Sequence, residues 1–356
     1  MALVFFDSFD YYATAQLGIK YSGVGAGAAI VSAQGRRSTA ALELAAGASE
    51  WVRFDHTSAS YVIGFSVRNT LAGSTGNYIL ARIFDGATEQ CSLRLSEAGV
   101  LDVVRGASTA VTGGVAASAF PLQTDAHYVE WKVTISDSIS SNSCVVRVDG
   151  VEFINVDAGQ SLRVSANNQG TGIQFGAAVN NATRRVFDDL YICDGSGSKN
   201  NNFLGDIRID VIRPNGVGTY TDGTPSTGSD NWAMVDETLL STTDYVSLAY
   251  SASPNLKDSY AFADLPALGG SLVLGVQVNA AAATSDSGAT RDVAVFTKSA
   301  STEDTGTSKT VATALNSVRE LMEDDPNTST AWTQSGVNAA EFGVKVTGCQ
   351  PPLFIR

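Results

Sequence analysis

Apolar and polar residues alternate with a period of two over much of this chain, and that rhythm leaves few folds open. Tyr61-Val62-Ile63-Gly64-Phe65-Ser66-Val67 and Val129-Glu130-Trp131-Lys132-Val133-Thr134-Ile135 both carry it. Successive side chains of a strand point to opposite faces, so the pattern marks sheets with one face turned to a core. Val145–Phe153 reads as a hairpin about Asp149-Gly150, a turn pair that tolerates positive φ. Further strands are expected at Asn77–Phe84, Cys91–Leu95, Leu101–Arg105, Gly172–Phe175 and Val186–Ile192. They recur at about ten-residue spacing with Gly, Ser and Asn between them, the pattern of an antiparallel sandwich or barrel. Gly23–Ala29 and Thr112–Ala117 read as loops.

The second half continues with Asp206–Arg213, Tyr245–Tyr250, Ser259–Phe262, Leu272–Val278, Asp292–Lys298 and Glu341–Val346. Thr310–Glu323 has its apolar residues at helical spacing and reads as a helix or a pair of strands. Asp194–Asn202 is polar and rich in Gly, Ser and Asn, which suits a connection between domains. A chain of 356 residues is long enough for two cores. The division expected is a first domain over 1–194, a linker over 195–205 and a second over 206–356.

Composition removes several classes. Apolar residues make up 44% and charged residues 17%, which argues against disorder. The net charge of −13 disfavours a nucleic-acid partner, because an acidic surface repels phosphate. Apolar runs such as Ser271–Val278 are far short of a membrane span of about 18–20 residues. No leader pattern is read at the start, where Asp7 and Asp10 follow Met1–Phe6 at once. Cys91, Cys144, Cys193 and Cys349 are far apart in sequence and form no C-x-x-C motif, so buried thiols are expected.

Chemistry-bearing patterns are sparse. The two histidines, His56 and His127, leave little for nucleophilic catalysis or a three-histidine metal site. No G-x-S-x-G elbow or phosphate-binding G-x-x-x-x-G-K-[ST] occurs, and Gly23–Gly27 lacks a following helix. Asp188-Asp189 and Asp236-Glu237 are adjacent acids. Neighbours on a strand point apart, so neither pair is expected to form a shared site. Asp188, Asp189 and Asp194 are the candidate Ca²⁺ ligands, the alternative being one solvent-facing aspartate and one turn cap. No other cofactor is expected. Of the four tryptophans, Trp131 alternates with Val129 and Val133 and reads as core. Trp232, in Thr227-Gly228-Ser229-Asp230-Asn231-Trp232, is the candidate for stacking on a sugar.

Two segments carry a family resemblance. Phe5-Phe6-Asp7-Ser8-Phe9-Asp10-Tyr11-Tyr12 and Phe187-Asp188-Asp189-Leu190-Tyr191-Ile192 resemble the first and last strands of concanavalin A-like (laminin G-like) jelly rolls, and Gly35–Leu42 resembles an early strand of that fold. The resemblance implies that those first and last strands pair. Asn202–Ile209, Arg213–Tyr220, Asp230–Glu237, Asp324-Asp325-Pro326 and Trp332-Thr333 resemble tailed-bacteriophage virion proteins in which a jelly roll precedes a second β domain.

The fold class expected is therefore all-β, two antiparallel β-sandwich domains in tandem. The family resemblance implies a non-enzymatic virion protein assembled in the host cytoplasm and exposed on the particle. Within the virion, a compact tail fibre or tip component is expected, with a head decoration protein as the alternative. It would form a homo-oligomer, a trimer or ring, and contact other virion proteins and a host surface glycan. A carbohydrate-binding module and a glycan depolymerase are the further alternatives.

Overall fold

The computed structural model describes residues 2–44, 50–69, 77–96, 99–106, 109–116, 125–136, 143–156, 160–176, 184–249, 255–287 and 291–349. The chain is built of antiparallel sheets and divides into two compact units, Met1–Ile209 and Asp210–Arg356.

Among the described residues, the first unit has fifteen strands in two sheets. They are β1 (Leu3–Asp7), β2 (Gly23–Val24), β3 (Ala28–Val31), β4 (Ala41–Leu44), β5 (Trp51–Ser58), β6 (Ser60–Asn69), β7 (Asn77–Asp85) and β8 (Thr88–Ser96). Then follow β9 (Leu101–Arg105), β10 (Thr109–Ala116), β11 (His127–Thr134), β12 (Ser143–Val148), β13 (Val151–Val156), β14 (Gly170–Gly176) and β15 (Arg185–Cys193). An eight-stranded sheet runs β13-β12-β11-β6-β15-β4-β3, with β1 also on β15. A seven-stranded sheet runs β10-β9-β8-β7-β14-β5-β2. The first and last strands therefore pair, as the jelly-roll likeness implies.

The inward positions are the apolar half of each alternation. Phe5, Phe65, Phe175 and Phe187 are buried, with Phe65 edge-on to Phe175 at 5.8 Å and Phe5 stacked on Phe54 at 4.4 Å. Trp131 is fully buried, as expected, and its indole donates to the Cys144 sulfur. Cys91, Cys144 and Cys193 are buried thiols. At the β12–β13 hairpin, Asp149 and Gly150 both take positive φ, the geometry that the primed two-residue turn demands.

The second unit centres on a six-stranded antiparallel sheet. Its central order is Pro214–Thr221, Lys257–Phe262, Glu341–Cys349, Arg291–Ser299 and Thr302–Thr305, with Lys309–Val311 also on Arg291–Ser299. The ladder Val276–Ala282/Asn316–Met322 packs against it, and Val318, Val293, Val295 and Val311 share one core cluster. Met322, Trp332, Val337 and Phe342 form another.

Several local expectations change. Of the two readings open for Thr310–Glu323, the pair of strands holds: the segment lies in Lys309–Val311 and Asn316–Met322. Thr112–Ala116 lies in β10, and Gly23–Ala29 holds β2 and the start of β3 about a turn. Asp206–Arg213 keeps its alternation but joins no sheet. In its first half, Ile207 O accepts from Arg36 and Ile209 N donates to Asp189, so side chains take backbone bonds that a neighbouring strand would make.

Candidate functional site

Register across the seven-stranded sheet gathers polar residues on its outer face. Arg53 (β5), Gln174 (β14), Arg82 (β7) and Ser92 (β8) lie side by side in one row. Asp55, Gly172, Phe84 and Glu89 form the next. The inward row between them, Phe54, Ile173, Ile83 and Cys91, is buried and apolar. A bulge between Ile83 and Phe84 inserts Gln90 into β8 and brings Glu89 opposite Phe84.

Charge on this face is locally balanced. Arg53 Nε meets Asp55 at 2.7 Å, Arg82 Nη1 meets Glu89 Oε2 at 3.0 Å, and Arg94 grips Asp102 with two bonds of 2.9 and 2.5 Å. The guanidinium groups of Arg53 and Arg82 lie 5.4 and 5.5 Å from the Phe84 ring centroid. Gly172 leaves room for that pair, since a Cβ there would come within 2.7 Å of Arg53 Nε and Asp55 Oδ1 and push them aside. Beside them, Trp51 lies over Gly23, where a Cβ would meet its ring at 2.7 Å.

Three buried polar atoms in this patch lack a partner. Among the described residues, no hydrogen-bond partner lies at Arg82 Nε, Glu89 Oε1 or Ser92 Oγ. Each such atom costs about 1–3 kcal/mol. One donor, one acceptor and one hydroxyl are thus grouped beneath the surface between β7 and β8, while Arg53, Asp55 and the Phe84 ring are the parts of this patch that reach solvent.

The candidate calcium ligands are placed differently from expectation. Asp188 and Asp189 are both buried on β15 and share one cluster. The rule that adjacent strand residues point apart fails because the register shifts between Asp188 and Tyr191 and Asp189 takes φ +47°. Asp189 accepts two bonds from Arg37 Nη2, at 2.9 and 2.8 Å, and one from Arg36 Nη1 at 3.2 Å. Asp188 accepts from the Arg36 and Asp189 backbone amides at 2.8 Å each. Burial, then the neighbouring Asp189 charge, push the Asp188 carboxyl up to about 7. Arginines thus hold the positions a cation would take. Asp194 is apart from them, on His56 Nε2 at 3.2 Å. Among the described residues, no group of three His, Cys, Asp or Glu side chains could hold a metal ion.

Trp232 sits in the short turn Asn231–Met234 and is half-buried. Its neighbour Asn231 is buried and donates to Asp258 Oδ2 at 2.6 Å. His127 pairs with Asp149 at 2.7 Å, so each histidine has its own acid at a separate place.

Sequence reasoning passed over Arg53, Arg82, Phe84, Glu89, Ser92 and Gln174. Their only sequence signal is occupancy of alternate strand positions, which reads as solvent-facing. Their convergence depends on the register of four strands.

No family model matches the chain, and no curated protein matches it. Solved structures similar to it include a carbohydrate esterase from the Shiga toxin-encoding bacteriophage phi24B, at 16% identity and TM-score 0.37, covering 53% of this chain and 99% of that one. Another is an alginate lyase in complex with alginate trisaccharide, at 10% identity and TM-score 0.36, covering 54% and 97%. A third is a Trypanosoma rangeli sialidase, at 12% identity and TM-score 0.32, covering 43% of this chain and only 25% of the sialidase. These neighbours are carbohydrate-active or carbohydrate-binding β-sandwich proteins, and no family match supports the laminin G-like or virion resemblance. The expectation of a non-enzymatic chain is corrected by them, since a sialidase, a lyase and an esterase stand among its neighbours. The expectation leaned on scarce histidines and on adjacent acids pointing apart.

Proposed function

We propose that this chain recognises a carbohydrate on the outer face of its seven-stranded sheet. The observation that carries the reading is the half-buried Phe84 ring flanked by the Arg53 and Arg82 guanidinium groups, with the exposed Asp55 carboxylate beside it. A sugar hydroxyl donates and accepts at once, so a vicinal pair of hydroxyls can serve an N–H and a carboxylate oxygen together. The C–H face of the sugar ring lies against an aromatic face, which carries partial negative charge. Arg53, Arg82 and Arg94 each have a carboxylate of their own, so the face carries no large unbalanced charge and suits a neutral sugar.

Arg53→Ala tests this reading. Removing a partly exposed guanidinium that lies on the Phe84 ring is expected to weaken binding on a glycan array by about three- to tenfold. Phe84→Ala is expected to abolish binding. Mass spectrometry of the captured oligosaccharides reports any turnover. A wild-type chain that captures no glycan, or an Arg53→Ala chain that binds undiminished, rejects the proposal.

We infer a virion surface as the setting, on the sequence resemblance of Asn202–Ile209 and Asp230–Glu237 to tailed-phage virion proteins. Immunogold labelling of purified particles tests it and separates tail from head; particles that lack the chain reject it.

A further inference from the structure

The other sheet has a different device on its outer face. Arg147 (β12), Glu130 (β11), Gly64 (β6) and Tyr191 (β15) form one row across four strands. Gly64 opens a lane in that row: a Cβ there would meet the Tyr191 ring at 2.0 Å. The ring crosses the lane, and Tyr191 Oη donates to Glu130 Oε1 at 2.5 Å. Lys132 and Tyr128 stand on the same face, two residues to either side of Glu130.

Segment Asn202–Ile209 runs across this face, bonded along its length. Lys132 Nζ donates to Asn202 Oδ1 at 3.2 Å, and the Arg147 guanidinium lies 4.2 Å from the Phe203 ring centroid. Leu204 N donates to Tyr191 Oη at 3.1 Å, and Gly205 N to Glu130 Oε1 at 2.8 Å. Arg36 pairs with Asp206 at 2.6 Å and donates to Ile207 O at 3.1 Å, and Ile209 N donates to Asp189 Oδ1 at 2.9 Å. Contacts are thus made to main-chain groups at Leu204, Gly205, Ile207 and Ile209, and to side chains at Asn202, Phe203 and Asp206.

We propose that this face is a binding site for an extended peptide, filled in this chain by its own segment Asn202–Ile209, which can leave it. Arg147 takes an aromatic side chain, Glu130 and Tyr191 take main-chain amides beside a glycine, and Arg36 takes an acid three residues after the aromatic one. Two observations argue for release rather than permanent closure. A face that only had to hold its own chain would be cheapest as apolar residues, since well-packed apolar replacements for buried charges are often neutral or stabilising. Glu130, Tyr191, Lys132, Asp189 and Arg36 instead form a polar face that water can satisfy once the segment departs. The segment also adds no strand to the sheet, and it is joined to β15 through Asp194–Asn201, where Gly195, Gly197 and Asn200 all take positive φ. The site is on the opposite sheet from the proposed sugar face and does not depend on that reading.

The test uses the full chain and a fluorescent synthetic peptide of residues 200–209. Gly205→Pro removes the N–H that Glu130 accepts and forbids the φ of +80° found there. The peptide is expected to bind this variant at least about tenfold more tightly than the wild type, whose tethered segment competes at high effective concentration. Adding Glu130→Ala, which leaves no acceptor for the amide, is expected to weaken that binding at least about tenfold. Equal or absent binding by a folded Gly205→Pro chain overturns the proposal. Should that variant not fold, amide exchange in the wild type decides. The Leu204, Gly205 and Ile209 amides are expected to exchange at least about tenfold faster than those of β6, β11 and β15, through an opening short of unfolding. Exchange at the same rate as those strands overturns it.

Discussion

Asp188 shows how far one side chain's chemistry depends on its surroundings. In the unfolded chain a carboxyl releases its proton near pH 4. In the folded chain burial, with Asp189 and Asp10 adding like charge, holds Asp188 protonated to about pH 7. A proton is thus bound more tightly by the folded state, so this group's contribution to stability is full below about pH 4 and lost as pH rises through 7. Asp188→Asn removes the charge and keeps one oxygen for the Arg36 amide, at the cost of the bond from the Asp189 amide, a loss present at every pH. Its melting temperature relative to the wild type is therefore expected to rise from pH 4 to pH 8, as thermal unfolding at the two pH values will show. A difference that is the same at both pH values would contradict the assignment. The sequence offered Asp188 and Asp189 as a pair but hid their relation, because the bulge that brings both into one cluster has no local signature.

Gly64 acts at the level of the strand. Its lack of a side chain lets Tyr191 reach Glu130 across β6. Gly64→Ala forces the ring aside and is expected to destabilise the first unit by about 1–3 kcal/mol, measured by urea unfolding. A midpoint equal to the wild type would show that the ring does not need the lane. Most strands were legible in the sequence, since an alternation with one apolar face has one stable placement. The hairpin at Asp149-Gly150 and the core position of Trp131 were legible for the same reason. Asp206–Arg213 was misleading: the alternation is present, but its backbone bonds at Ile207 and Ile209 go to Arg36 and Asp189, over 150 and 20 residues away. Thr310–Glu323 left helix and strand pair both open, because a few apolar residues satisfy either period, and the structure takes the strands.

The whole molecule divides after Ile209, whereas the Gly/Ser/Asn-rich stretch suggests a boundary from Asp194. A fragment of residues 1–209 is expected to melt cooperatively. A fragment of residues 1–194 lacks the groups that bond Glu130, Tyr191 and Asp189, and is expected to melt at a lower temperature in scanning calorimetry. Equal melting of the two would mean that Asn202–Ile209 adds nothing to the unit.

Local pattern alone was enough to determine that this chain is all-β, where most of its strands lie and which side of each is buried, because those properties follow from neighbours one and two residues apart. Only the tertiary structure decided which polar positions stand together. Arg53, Arg82, Glu89 and Ser92 share one face through the register of four strands, and Glu130, Gly64, Tyr191 and Gly205 meet through contacts between residues far apart in the chain. Such meetings depend on strand order, bulges and register, to which the polar half of a period-two pattern is blind.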